Sequence, residues 1–300
     1  MRINNQFVES IQIGDVKALA RSITIVENEL EGYKDLLADL KINQNIPIIG
    51  ITGPPGAGKS TLVNALLKKY SSDNKKVGVI AIDPTSPFHY GSLLGDRIRM
   101  SEHFLDPNIF IRSLATRGSL GGLSSKTIEI SDLYRTFPFD VIIVETVGVG
   151  QSEVEIVGLA DITILVLVPE GGDEIQGIKS GVMEIADIFV INKSDRPGAD
   201  IFKNNIEKIV HERTHSKNEI AVIKTIASEN VGIDDLISEL SKFSNKVDNE
   251  KRVLLMAEKA FRIIQHERMR DIDKQVILKS LQSQMSSKDF NLYKFVLEFI

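Results

Sequence analysis

Two glycines, a lysine and a serine occur early in the chain at a spacing that suits phosphate binding. Residues 46–62 read IPIIGITGPPGAGKSTL, in which Gly53, Gly58, Lys59 and Ser60 match the pattern G-x-x-x-x-G-K-S/T between an apolar run and a helix-forming run. Glycines let successive backbone N–H groups surround an anion, and a helix N-terminus adds about half a positive charge. The segment therefore predicts a phosphate-binding loop rather than an ordinary glycine-rich turn with a solvated lysine.

The same loop predicts roles for single residues. In loops of this pattern the lysine reaches the β- and γ-phosphates, and the hydroxyl that follows it binds Mg²⁺. We therefore expect Lys59 to be catalytic and Ser60 to be a metal ligand. The nucleotide-binding residues that we predict in the loop are Gly53, Pro54, Pro55, Gly56, Ala57, Gly58, Lys59, Ser60 and Thr61.

Acidic residues follow the next apolar run. Asp83 ends the run VGVIAID, and an acid at the carboxyl end of a strand beside the phosphate loop lies where ligands bind in open α/β sheets. We predict that Asp83 is a Mg²⁺ ligand, directly or through water, with a catalytic role. Asp96, in the run GDRIRM, is interpreted equally well as a further metal ligand or as a helix N-cap. Arg99 of that run belongs to the predicted nucleotide-binding set.

A second motif joins an apolar strand to an acid and then to glycine. Residues 141–144 are followed by Glu145 and Gly148, which predicts Glu145 near Mg²⁺ or the attacking water, as a metal ligand and catalytic residue, and Gly148 near the γ-phosphate. A buried strand followed by an ordinary turn is the alternative. Gly148 and Gly150 indicate a segment that changes conformation on hydrolysis. Gln151 either orients a water or is a surface glutamine, and the second interpretation is favoured.

A third motif, N-K-S-D, indicates which base is bound. Asn192, Lys193 and Asp195 follow the apolar run 188–191. A carboxylate at Asp195 accepts hydrogen bonds from N1–H and the 2-amino group of guanine, whereas adenine presents the opposite pattern at the ring nitrogen and lacks that amino group. The motif is short, but its order after the other two favours GTP over ATP. The backbone N–H of Ala227 is a candidate donor to the guanine oxygen.

The elements that must position these residues alternate along the chain. Unbroken Val/Ile-rich runs separated by helical patterns predict a doubly wound, mostly parallel α/β sheet covered on both faces. The predicted strands are 46–52, 77–82, 109–114, 141–144, 162–168, 188–191 and 220–223. We expect a helical extension over 1–45, a nucleotide-binding domain over 46–243 and a helical segment over 244–300, whose aromatic end either folds back or forms a dimer.

Composition excludes several classes of protein. With 300 residues, of which 42% are hydrophobic, the chain can bury a full core, and with no cysteine it has neither a disulfide framework nor a Cys-based metal site. The net charge is −5 and the Lys and Arg residues are scattered along the sequence, so no basic patch for binding nucleic acid is expected. No apolar run approaches the ~20 residues of a membrane span, and the N-terminus lacks a signal-peptide pattern. We therefore expect no membrane association and a cytoplasmic protein.

Four strings in order carry a family resemblance: DPTS at 83–86, LGDRIRM at 94–100, RGSLGGL at 117–123 and ETVGVGQSE at 145–153. With these strings the chain resembles the MeaB/ArgK family, the methylmalonyl-CoA mutase-associated GTPases, which include MMAA-like proteins. The likeness runs from about residue 10 to the end. It implies a P-loop NTPase fold of the SIMIBI type and a G-protein chaperone for an adenosylcobalamin-dependent acyl-CoA mutase, which gates cofactor loading and protects the mutase.

The resemblance also implies residue roles. It assigns the phosphates and Mg²⁺ to Lys59, Ser60, Asp83, Asp96 and Glu145, and the base to Asn192, Lys193 and Asp195. Residues 169–179 correspond to the family's third mobile segment, which carries the message to the mutase, although an ordinary loop into a helix is the simpler interpretation. The family dimerises through its C-terminal helices, so a homodimer is expected.

The chain departs from its relatives at two places. His89-Tyr90 stand where many relatives have glycine, and Ile226-Ala227 replace the usual Ser-Ala of the loop that closes over the base. Two other functions remain as alternatives. One is an ArgK-type kinase or ATPase associated with amino-acid transport, against which Asp195 argues. The other is a nickel metallochaperone GTPase, which the absence of cysteine and the lack of a cluster among five histidines disfavour.

Overall fold

The protein is described here from a computed structural model. The structure describes residues 5–83, 100–115, 125–146, 156–170, 186–213, 220–243, 249–285 and 290–299. The chain forms two compact units, residues 1–255 and residues 256–300.

A seven-stranded sheet forms the centre of the first unit, with the order β3-β2-β4-β1-β5-β6-β7. Every neighbouring pair is parallel. The strands are β1 (Ile48–Thr52), β2 (Val77–Asp83), β3 (Ile109–Ala115), β4 (Val141–Glu145), β5 (Ile162–Leu167), β6 (Ile188–Ile191) and β7 (Ala221–Lys224). All seven predicted runs are strands, with ends displaced by at most two residues, and the predicted parallel α/β fold is confirmed.

Helices cover both faces of this sheet. They are α4 (Lys59–Ser72), α5 (Ser125–Thr136), α6 (Ala199–Arg213) and α7 (Ile233–Phe243). Alternate residues of β5 face opposite sides, since Ile164 belongs to the core cluster shared with α4 and α7, whereas Leu165 packs in the cluster with α6. Strands β1, β4, β5 and β6 are buried at every position because both of their faces are covered. The carboxyl ends of the central strands therefore meet along one edge of the sheet.

Three short helices precede β1: α1 (Asn5–Gln12), α2 (Val16–Glu27) and α3 (Tyr33–Ala38). Lys126, in the first turn of α5, anchors this part of the chain through Glu29 at 3.0 Å, and its Nζ lies 4.6 Å from the centre of the Tyr33 ring. Lys126 also pairs with Glu129 of its own helix at 2.7 Å. Burial acts against its charge, but the two carboxylates prevail, so the pKa of Lys126 is raised. The division at residue 45 remains a prediction.

The second unit contains the C-terminal part of α8 (Asn249–Arg268), followed by α9 (Lys274–Gln284) and α10 (Leu292–Val296). Phe295 is buried in this unit, with its ring centre 6.1 Å from that of Phe290 and 5.1 Å from that of Phe299. Many other apolar side chains of this unit are exposed, among them Phe261 at 64% and Leu297 at 72%. The assignment of 244–300 as a dimerisation segment remains a prediction.

Candidate functional site

The phosphate-binding loop occupies residues 53–58, between β1 and α4. Gly53, Gly56 and Gly58 have φ angles of 142°, 77° and 88°, in the region that favours glycine. A Cβ atom on Gly53 would lie 2.2 Å from the Val166 carbonyl oxygen, whereas one on Gly56 would meet nothing within 4 Å. Position 53 therefore requires glycine for two reasons: a Cβ would collide with the Val166 carbonyl oxygen, and the φ angle is positive.

Lys59 is the first residue of α4 and is 8% exposed. Its Nζ donates to the carbonyl oxygens of Gly53 at 2.7 Å and Pro54 at 3.1 Å. Pro55, at the tip of the loop, and Gly56 are exposed. The ammonium group thus lies inside the turn, next to the positive end of the α4 dipole, which is an arrangement that favours bound anions.

Ser60 and Glu145 meet directly although 85 positions separate them in the sequence. The Ser60 hydroxyl donates to Glu145 Oε1 at 2.7 Å, and the two residues are 8% and 3% exposed. Glu145 is the last residue of β4, which pairs with β1, so the parallel register places its carboxylate beneath the start of α4. Two residues predicted as metal ligands from separate motifs are therefore adjacent.

The donor set at this position fits Mg²⁺, which prefers oxygen ligands and keeps several waters and phosphate oxygens as partners. A hydroxyl and a carboxylate side by side provide two protein oxygens of the required kind. Asp83 ends β2, in which Ala81 is paired with Glu145. Within the described ranges no three His, Cys, Asp or Glu side chains come together as a metal-binding group.

Asn192 connects the phosphate loop to the loop after β7. Its Nδ2 donates to the Ala57 carbonyl oxygen at 2.9 Å, while its Oδ1 accepts from Thr225 Oγ1 and from the Ala227 N–H, both at 3.1 Å. The side chain is 2% exposed. A Cβ on Gly58 would lie 2.4 Å from Asn192 Nδ2. Asn192 therefore acts as a buried clamp between two loops, and the Thr225 hydroxyl is part of it, which the sequence motif did not indicate.

Lys193 and Asp195 lie outside this buried clamp. Lys193 adopts a φ angle of 56° and its Nζ donates to the Gly56 carbonyl oxygen at 2.7 Å. Asp195 is exposed, which is compatible with its predicted role in binding a base. The N–H of Ala227, which the sequence suggested as a donor to the guanine oxygen, is engaged with Asn192 Oδ1 instead. Its role on the base remains a prediction that requires this bond to be shared or released.

An exposed ion pair lies next to the N-K-S-D motif. Arg196 NH1 and Glu170 Oε1 are 2.5 Å apart. The hydrogen bond from Arg196 lowers the pKa of Glu170 below its ordinary value. Glu170 belongs to the segment 169–179, of which only its first two residues are described.

Several predicted site residues lie outside the described residues. These are Asp96, Arg99, Gly148, Gly150 and Gln151. Asp83 is described as the last residue of β2, but its side chain is not. Their predicted roles stand as predictions.

The structure also bears on the expectation about membranes. None of the helices in the described parts of the chain is long and apolar enough to cross a bilayer.

Comparison with known proteins assigns the family. Residues 19–285 match the family model described as "Methylmalonyl Co-A mutase-associated GTPase MeaB". The chain belongs to the MeaB family. This match confirms the resemblance carried by the four motif strings, and it makes the protein a GTPase of the P-loop class.

Individual relatives agree with the MeaB assignment. A Pyrococcus horikoshii protein named "Putative GTPase PH0274" is 47% identical over 267 residues, covering 85% of this chain and 84% of its own. The Escherichia coli protein "GTPase ArgK" is 33% identical over 297 residues, covering 95% and 87%. A solved structure described as a LAO/AO transport system kinase superposes with a TM-score of 0.68 at 25% identity, covering 99% of this chain and 98% of that one.

Proposed function

We propose that this MeaB-family GTPase is a Mg²⁺-dependent G-protein chaperone for an adenosylcobalamin-dependent acyl-CoA mutase. In this proposal it gates loading of the mutase cofactor and protects the mutase from inactivation. The observation that carries the proposal is the match of residues 19–285 to a family described as mutase-associated. The site geometry supports the nucleotide part of the proposal, and the family description supports the partner.

The chain's own groups suit hydrolysis of the γ-phosphate by in-line attack of water. Lys59 holds its charge inside the loop, bonded to the carbonyl oxygens of Gly53 and Pro54. On GTP binding we expect its Nζ to exchange these partners for phosphate oxygens. The backbone N–H groups of the non-proline residues of this loop and the start of α4 stabilise the charge that develops on the phosphoryl group.

Ser60 and Glu145 would hold the Mg²⁺ ion, with Asp83 and Asp96 as further proposed ligands. When bound, Mg²⁺ neutralises charge on the β- and γ-phosphates. The hydrogen bond from the Ser60 hydroxyl to Glu145 keeps both oxygens close together. Little reorganisation of these two residues is therefore needed for both to face one cation.

A single-turnover assay tests the chaperone proposal. The reactants are the full chain, GTP, Mg²⁺ and purified methylmalonyl-CoA mutase carrying adenosylcobalamin, with the Lys59→Ala variant as the control without hydrolysis. We expect slow hydrolysis alone and at least a tenfold faster rate with the mutase, equivalent to about 1.4 kcal/mol of barrier. Equal rates with and without the mutase would contradict the proposed partner.

The description of the structural relative as a transport system kinase raises a second candidate, an ArgK-type kinase or ATPase linked to amino-acid transport. Base preference separates the two. We expect the wild type to bind GDP in preference to ADP, and Asp195→Asn to lose at least about tenfold of that preference, because a carboxylate accepts from two guanine donors and an amide does not. Preference for ADP, or a wild-type preference that survives in Asp195→Asn, would favour the second candidate.

We further propose a homodimer that uses the second unit. The exposed apolar residues there, including Phe261 and Leu297, support this proposal because such surfaces mark interaction sites. Sedimentation of the full chain tests it: Phe261→Glu together with Leu297→Glu is expected to convert a dimer into a monomer. A wild-type monomer at all concentrations would contradict it.

A further inference from the structure

Two threonine hydroxyls meet where the central strands leave the sheet. Thr52 is the last residue of β1, and Thr146 is the first residue after β4. Thr146 Oγ1 donates to Thr52 Oγ1 at 3.1 Å, and Thr146 and Thr52 are 2% and 0% exposed. Thr146 lies between Glu145 and Gly148 of the second motif, but no role is predicted from the sequence for either threonine. Their contact depends on the strand register, since 94 positions separate them.

The backbone around this pair continues the ladder between the two strands. Ile51 is paired with Glu145, and one step further the Thr146 N–H donates to the Ile51 carbonyl oxygen at 3.1 Å. The Thr146 hydroxyl lies 3.4 Å from the same oxygen. Valine has the same shape as threonine and no hydroxyl to satisfy in a buried place. The hydroxyl pair therefore adds directional bonding where packing alone would not need it.

The pair closes a ring of contacts around the phosphate site. Thr52 precedes Gly53, whose carbonyl oxygen accepts from Lys59 Nζ, and Ser60, the next residue of α4, donates to Glu145. Glu145 in turn precedes Thr146, which returns to Thr52. Each step is either a peptide bond or a hydrogen bond between buried groups. A shift of either strand end would consequently move the lysine anchor and the carboxylate relative to each other.

We propose that Thr52 and Thr146 are a pair of positioning residues that holds the Glu145 carboxylate in register with Ser60 and Lys59. The proposal rests on the proposed Mg²⁺-dependent GTPase function and deepens it. Neither threonine touches the substrate in this proposal. Their hydrogen bond fixes the last residue of β4, so that the proposed metal-binding oxygens of Glu145 and Ser60 stay together at the phosphate loop.

The test uses shape-preserving variants of the full chain and requires no mutase. Thr52→Val, Thr146→Val and the double variant remove the hydroxyl pair, and Thr146→Ser retains a hydroxyl. Thr163→Val is the matched control, since Thr163 is a threonine of β5 that is only 1% exposed. Three quantities are measured: GDP affinity with Mg²⁺, GDP affinity with EDTA, and the single-turnover rate of GTP hydrolysis.

We expect Thr146→Val to lower the hydrolysis rate and the Mg²⁺-dependent gain in GDP affinity by about tenfold, the size expected for loss of one hydrogen bond. Affinity in EDTA should change by less than about twofold, because the loop itself is intact. The double variant should be no worse than Thr146→Val, since both changes remove one shared bond. Thr146→Ser and Thr163→Val should both behave like the wild type.

If the valine variants lose GDP affinity equally with Mg²⁺ and with EDTA, the threonine pair contributes only core packing and the inference is wrong. A lowered Tm with an unchanged hydrolysis rate would lead to the same conclusion. Additive effects of the two valine variants would overturn it as well. Failure of the proposed function looks different: the wild type itself would then show no Mg²⁺-dependent guanine-nucleotide binding. If the wild type binds and hydrolyses GTP and all valine variants match it, only this inference is wrong and the proposed function stands.

Discussion

The phosphate end and the base end of the site lie along the same sheet edge but are built differently. At the phosphate end the charged groups are buried, with Lys59 8% and Glu145 3% exposed, and they form hydrogen bonds to the loop and to α4. At the base end Asp195 and Arg196 are exposed, and the buried residue is the uncharged Asn192. Charge is therefore buried at the predicted phosphate end of the site and exposed to solvent at the predicted base end.

The difference has an electrostatic reason. Water screens charges at an exposed site, whereas a buried charge acts through a lower effective dielectric and costs free energy unless it is hydrogen-bonded. Asn192 joins the two ends without carrying charge, through its bonds to Ala57, Thr225 and Ala227. Changes at the phosphate end should affect catalysis most, changes at the clamp should affect both folding and binding, and changes at the exposed pair should affect little.

The largest effect is expected for Lys59→Ala. Removing the buried ammonium should lower the single-turnover rate of GTP hydrolysis by about 10²–10³ or more, the range found when one preorganised electrostatic group is lost. Tm should change little, since the lysine is held by two loop carbonyl groups that water can satisfy. Lys208→Ala, at an exposed position of α6, is the control. A rate in Lys59→Ala close to that of the control would remove the lysine from the mechanism.

An intermediate effect is expected for Asn192→Ala, which removes three hydrogen bonds from a buried residue. The free energy of unfolding should fall by about 2–3 kcal/mol, since each net hydrogen bond contributes about 0.5–1.5 kcal/mol. Thr225→Val removes only one of the three and should cost about 1 kcal/mol. Urea unfolding of both variants, with GDP affinity in parallel, measures the ranking. Thr225→Val destabilising more than Asn192→Ala would contradict the clamp.

The smallest effect is expected for Glu170→Gln. Exposed ion pairs are weak and screened by salt, so Tm at pH 7 should be nearly unchanged. Because the pKa of Glu170 is lowered in the folded protein, any stabilisation is present above the ordinary glutamate pKa. It is lost as the pH falls through the lowered value. Thermal unfolding over a series of pH values from 7 downwards, in low and high salt, should show a small difference from wild type that is largest at pH 7 in low salt and shrinks as the pH falls.

Most of the fold follows from local sequence because the Val/Ile-rich runs are typical of parallel strands, and four of them, β1, β4, β5 and β6, are buried at every position. The ends of the strands are harder to predict. β1 begins at Ile48 rather than at residue 46, because Pro47 has no N–H and the Ile48 N–H donates to the Asp161 carboxylate. Of the site, motif spacing identified Ser60 and Glu145, which the structure brings together.

Contacts that depend on strand register could not be predicted in this way. The bond between Thr52 and Thr146 and the part of Thr225 in the Asn192 clamp arise from parallel pairing of distant segments. A threonine at the end of an apolar strand has no distinguishing pattern in the sequence. The engagement of the Ala227 N–H by Asn192 is another such case, because it depends on how two loops close on each other.

The order of the strands in the sheet has a consequence for synthesis. β1 carries the phosphate loop, yet its two neighbours are β4 and β5, and Thr52 pairs with Leu165. A chain emerging from the ribosome therefore exposes three apolar strands before either neighbour of β1 exists, and such distant pairings form slowly. The site for a guanine nucleotide is therefore incomplete until more than half of the protein has been made.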